Sequence, residues 1–211
     1  MCFSATASFT AGTALSAVGV VTISKIRRKS DVLFATIPLI FGIQQLTEGV
    51  IWLSSQSSTL QTVMTNIFSF FSHVFWPTFI PLSILLMENI VWRRKILSAF
   101  VAIGSVVSVY LLYFLVTEPI RAEIVGNSIS YDSPHFYEVP MLLFYFAATC
   151  VSCLFSSHRF VNVCGIFAFV SAFIAYQFWA ATFISVWCFF AAVMSLVIYL
   201  HLRSTPRNAM Y

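Results

Sequence analysis

Seven apolar runs follow one another along the chain with only short polar breaks between them, and that repetition decides the fold class. The runs cover residues 6–24, 32–54, 62–89, 96–117, 141–155, 161–176 and 180–202. The second is about 34 Å long at about 1.5 Å per residue, enough to cross a hydrocarbon layer about 30 Å thick. Only 9% of the 211 residues are charged, against about 25% in an ordinary soluble domain, while mean hydropathy is +0.92. Too few charges remain to hydrate a water-facing surface. In lipid every backbone polar group must be bonded within the chain, so the expected architecture is an all-α transmembrane bundle of seven spans. Residues 1–211 are read as a single transmembrane domain.

The third run contains Pro77 and Pro81, which predicts a kink there. Residues 118–140 break the apolar pattern and form the one sizeable segment expected in water. They carry Glu118, Arg121, Glu123, Asp132 and Glu138, and the Gly126-Asn127 pair predicts a short hairpin.

Basic residues fall only in alternate breaks, apart from Arg121. Lys25, Arg27, Arg28 and Lys29 follow the first run, Arg93, Arg94 and Lys95 the third, and Arg159 the fifth, with Arg203 and Arg207 at the end. Positively charged loops stay in the cytoplasm, so the N-terminus and the 118–140 loop are expected outside and the C-terminus inside. The net charge of +4 is therefore a topology signal and a headgroup contact, which excludes nucleic acid as a partner. Membrane lipids are the expected partners, with a small-molecule or lipid ligand; oligomeric state stays open.

An ionisable residue at membrane depth is costly, so each one is a candidate site. Glu48 is the carboxylate well inside a run. At helical spacing it shares a face with Gln44, Gln45 and Trp52. In the third run Thr62, Asn66, Ser69 and His73 also form one face. The two stripes lie on adjacent antiparallel spans, so Glu48 and His73 are read as a catalytic acid–base pair or proton relay. Gln44, Gln45, Trp52, Asn66 and Ser69 are the expected substrate contacts. The competing reading is a hydrogen-bonded network that only stabilises the bundle. His135, in Ser133-Pro134-His135-Phe136-Tyr137, and Cys2, at the N-terminus, are expected on the same side as Glu48. Cys2, Glu48, His73 and His135 together suit zinc or another transition metal, although no two share a metal-ligand spacing. On the opposite side Cys150, Cys153, His158 and Cys164 read as packing, since a mid-helix Cys-x-x-Cys lacks the redox context of that motif.

The opening Met1-Cys2-Phe3-Ser4-Ala5-Thr6-Ala7-Ser8-Phe9, the Phe41–Gly49 stretch with Trp52, Phe70-Phe71-Ser72-His73, Ser133–Tyr137 and Ser156-Ser157-His158 resemble a family of uncharacterised bacterial integral membrane proteins. The resemblance covers essentially the whole chain. It implies a bacterial source and hence the cytoplasmic (inner) membrane, and it implies no activity. It also suggests that the N-terminal segment packs into the outer mouth.

Three functional expectations follow. The first is a membrane-embedded enzyme acting on a lipid or small apolar molecule at an outward-facing Glu/His site. The second is a proton-coupled transporter or small-molecule sensor using Glu48 and His73. The third is a scaffold subunit of a membrane complex, whose polar stripes would need another chain.

Overall fold

The computed structural model describes residues 4–26, 28–54, 58–118 and 120–204. Among them seven helices run in chain order: α1 (Ala5–Ser24), α2 (Val32–Leu53), α3 (Thr59–Met87), α4 (Val91–Thr117), α5 (Val139–Leu154), α6 (Arg159–Phe178) and α7 (Phe183–Ser204). Between α4 and α5 lies an antiparallel hairpin of β1 (Arg121–Val125) and β2 (Ser128–Asp132). The chain is all-α apart from this hairpin. Five helices, α1 to α4 and α6, are long and apolar enough to cross a membrane; α5 and the apolar part of α7 are shorter.

The apolar surface is arranged as lipid requires. On α4, Val106, Val109, Tyr113 and Val116 are all exposed, and their spacing lines them up on one helical face. Such a stripe facing outward reverses the pattern of a water-soluble helix.

Small residues let α1 and α2 approach closely. A Cβ on Gly19 would fall 2.4 Å from the Leu39 nitrogen, and one on Gly42 would fall 2.5 Å from Ser16 Oγ. Close backbone approach replaces hydrophobic driving force where the solvent is itself apolar. The caps are local: Ser4 Oγ accepts from the Ala7 amide, and Ser58 Oγ accepts from the Gln61 amide at the start of α3.

The expected kink in α3 takes the form of a π-turn at Phe70–Phe75, immediately before Pro77. Pro77 has no N–H to close the regular ladder, and a wide turn is one of the accepted responses. A second π-turn, Ala147–Val151, interrupts α5. Carbonyls at the first are taken up by side chains from neighbouring helices. Tyr145 Oη donates to the Ser72 carbonyl, and Ser108 Oγ donates to the Val74 carbonyl.

The 118–140 segment differs from its expectation as a water-exposed loop. The Gly126-Asn127 turn is present, with Gly126 at φ 60°, a value that favours glycine. However, Ile120, Ala122, Ile129, Tyr131 and Phe136 are buried in a cluster with Ile51, Phe68 and Phe183. Strand alternation explains this: Ile129, Tyr131 and Ser133 point inward, while Asp132 between them is exposed. The hairpin plugs the end of the bundle. Gln61 Nε2 donates to the Ala122 carbonyl and Ser130 Oγ to the Ala181 carbonyl, tying it to the start of α3 and the α6–α7 turn.

Candidate functional site

Glu48 is fully buried on α2, and its Oε1 accepts from Ser185 Oγ (2.7 Å) on α7 and from Tyr131 Oη (3.3 Å) on β2. Tyr131 stacks face to face on Phe68, with centroids 4.5 Å apart. The carboxylate therefore fixes how deep β2 sits in the bundle. Two residues on, just past the end of β2, Ser133 is also buried and meets His73.

His73 sits in the π-turn of α3 and is 1% exposed. Its Nε2 lies 3.0 Å from Ser133 Oγ and its Nδ1 2.8 Å from Ser72 Oγ. The direction of these bonds can be worked out. Ser72 Oγ donates to the Ser69 carbonyl, so it accepts from Nδ1–H. In the neutral ring that leaves Nε2 as the acceptor for the Ser133 hydroxyl. Hydroxyl, imidazole and orienting group are in the order that activates an oxygen nucleophile.

Glu48 and His73 are thus held by neighbouring positions of one segment, 131 and 133, rather than by a hydrogen bond drawn between them. Ser133 lines two openings at this end. A cleft of about 130 Å³ is walled by His73, Phe114, Glu118, Asp132, Ser133 and His135. A groove on the other side includes Tyr131, Ser133, Tyr137 and Tyr176.

His135 lies at the rim of the first cleft. Its ring stacks on Phe114 at 3.5 Å, with Nδ1 3.2 Å from Glu138 Oε1 and Nε2 3.1 Å from Glu118 Oε2. Glu138 also accepts from Tyr110 Oη. Partial desolvation lowers the imidazole pKa, but the hydrogen bonds and charges of Glu138 and Glu118 outweigh it and raise the value above the ordinary 6.5. A group raised on folding stabilises fully below its unfolded pKa, and the effect is lost as pH rises through the raised one. Hydrogen exchange at residues 120–137 should therefore quicken, beyond its intrinsic pH dependence, as His135 deprotonates. Glu118→Gln should bring the midpoint down; an unchanged midpoint would remove His135 from the latch.

The remaining sequence candidates are dispersed. Gln44 accepts from Trp76 Nε1 at 2.8 Å. Because that indole can only donate, the Gln44 amide nitrogen faces away from it. Both amide atoms of fully buried Gln45, Trp52 Nε1, Asn66 Oδ1 and Ser69 Oγ have no hydrogen-bond partner among the described residues. Cys2 lies outside the described residues. Among those described, no group of three or more His, Cys, Asp or Glu side chains is placed to hold a metal ion.

Sequence reasoning missed Ser133, Ser72, Tyr131 and Ser185. Only Tyr131 and Ser133 had a signal, since alternation counted from the Gly126-Asn127 turn puts both on the inner face.

A model of a family of unknown function (DUF6629) matches residues 1–210. No curated protein and no solved structure matches the chain.

Proposed function

The chain belongs to DUF6629, and we propose that it is a membrane-embedded hydrolase or acyltransferase acting on a lipid ester, with Ser133 as nucleophile and His73 as general base. The observation that carries this is the Ser133 Oγ–His73 Nε2 contact of 3.0 Å, with the ring oriented through Ser72 and the hydroxyl between two openings. Ser133 Oγ attacks the ester carbonyl carbon as its proton passes to Nε2. The tetrahedral adduct collapses, the carbon–oxygen bond to the alcohol breaks, and the alcohol takes that proton. Water, or a second alcohol in transfer, then repeats the sequence on the acyl-serine and restores the hydroxyl.

Glu48 is a positioning residue in this scheme, acting through Tyr131 on the strand that leads into Ser133. No step requires a metal. The reading places seven spans in the cytoplasmic membrane of a bacterium, with the hairpin outside. It is supported by the gathering of Lys25, Arg28, Lys29, Arg93, Arg94, Lys95 and Arg159 at helix ends remote from the hairpin.

Two other readings receive less support. A proton path past His73 would need polar walls beyond it, yet the interior there is apolar. A scaffold role would leave the polar stripes facing lipid, whereas Gln44, Gln45, Glu48 and Ser69 are buried within this chain.

A membrane-impermeant fluorophosphonate tests chemistry and orientation together. It should label the protein in intact bacteria, fail on Ser133→Ala, and react about 10²–10⁴-fold more slowly with His73→Ala. Labelling that survives Ser133→Ala, or no labelling of the folded wild type in opened membranes, would overturn the nucleophile assignment. Labelling only after the membrane is opened would reverse the orientation.

A further inference from the structure

The half of the bundle away from the hairpin holds a partly open apolar cavity of about 90 Å³, and none of the residues that line it belongs to the Ser133 site. Trp76, Phe41 and Tyr145 stand toward the polar layer, and Phe34, Ile84 and Ile198 toward the basic end.

The walls make no offer to a polar ligand. Tyr145 Oη is committed to the Ser72 carbonyl, Thr149 Oγ1 to the Tyr145 carbonyl and Ser195 Oγ to the Ala192 carbonyl. Cys153 Sγ is likewise turned to the Thr149 carbonyl. With those groups bonded to backbone, the lining presents aromatic rings, aliphatic chains and thiols. A void of this kind is no place for water, which needs two to four polar partners, but it accepts an apolar guest.

Most of the lining is buried; Ile80 on α3, Cys164 and Ala168 on α6, and Ala191 and Met194 on α7 are half-buried. Four of these five lie on two neighbouring helices, and the outer face of α6 beside them is apolar.

We infer that this cavity is a binding site for one hydrocarbon chain of a membrane lipid, entering between α6 and α7. The assignment rests on the cavity alone and does not need Ser133 to react.

The five tryptophans supply the test. Trp76 and Trp187 line the cavity and are 3% and 7% exposed, so lipid outside the bundle does not reach them. Trp52, Trp92 and Trp179 are replaced by Phe, and the protein is placed in nanodiscs of phosphatidylcholine whose acyl chains are brominated or plain. Bromine quenches an indole it touches. The expected result is a loss of about half the emission in the brominated discs, and recovery when Ala168→Phe or Ala191→Phe fills the entrance. Two filling variants on different helices guard against one that does not fold, with circular dichroism as the check. Equal emission in the two lipids would overturn the site. Quenching that persists in a folded, filled variant would do so too, because the chain would then be touching the rings from outside. Neither result bears on fluorophosphonate labelling of Ser133.

Discussion

Replacing Glu48 by alanine should loosen the whole hairpin while leaving the far end of the bundle intact. The Tyr131 and Ser185 hydroxyls both donate to this one carboxylate oxygen in a fully buried position. Removing it takes away the bond that each hydroxyl makes to a carboxylate, about 1.5–3 kcal/mol each. Tyr131 also carries the stacking contact with Phe68, so releasing its hydroxyl lets β2 slide as a unit. Amide hydrogen exchange over residues 120–132 is the direct readout, and it should accelerate strongly in Glu48→Ala. In Glu48→Gln the acceleration should be smaller, because the amide oxygen still accepts from one hydroxyl. Fluorophosphonate labelling of Ser133 should fall in Glu48→Ala although Ser133 and His73 are untouched. Unchanged hairpin exchange in Glu48→Ala would mean that packing of Ile120, Ile129 and Phe136 alone seats the plug.

The helices were legible because lipid imposes a simple rule on composition and length. Every apolar run corresponds to a helix, with ends shifted by a few residues: the run at 96–117 begins at Val91, and that at 161–176 extends over Arg159–Phe178. The early start of α4 is instructive, since Arg93 and Arg94 lie inside its first turn and looked like loop. Their side chains bond carbonyls at neighbouring helix ends, which removes the cost of their charge there. The hairpin was legible as a turn but not as a plug. Five charged residues in 118–140 spoke for water, and the burial of Ile129 and Tyr131 depends on contacts about 60–80 residues away that no local pattern encodes.

The candidate site was half legible for the same reason. Glu48 and His73 stood out because each is an expensive residue within an apolar run. Their partners did not, because a serine hydroxyl is cheap anywhere: Ser185 carried no signal, and Ser133 only the strand alternation counted from the Gly126-Asn127 turn. His135, expected on the same side as Glu48, is held at the rim of the cleft by Glu118 and Glu138.

The other large effect belongs to Glu88, at the opposite end, which sequence inspection passed over as the edge of the third run. It is fully buried at the α3–α4 junction. Its Oε1 accepts from the Asn89 and Ile90 amides at 3.0 Å each, just ahead of α4, and its Oε2 accepts from the Ser157 amide at 2.6 Å in the α5–α6 turn. Arg94 bonds the Glu88 carbonyl, and Arg93 bonds the Phe155 and Ser156 carbonyls, so two helix junctions meet through these three residues. Burial pushes the carboxyl pKa up, but the Ile90, Ser157 and Asn89 amides outweigh it and hold the value below the ordinary 4.5. For a group depressed on folding, the stabilisation is present above the unfolded pKa and is lost as pH falls through the folded one. Glu88→Ala removes all three charge-assisted bonds together, an expected loss of about 3 kcal/mol at neutral pH. Glu88→Gln keeps the shape but turns an amide donor toward one of the three N–H groups, so it should be destabilised nearly as much. Thermal unfolding in nanodiscs as a function of pH separates charge from shape. The gap between wild type and Glu88→Gln should close as the wild-type carboxylate protonates in acid, while the gap to Glu88→Ala should only narrow. A gap to Glu88→Gln that does not change with pH would show that the junction is held by shape, and that the charge of Glu88 plays no part in it.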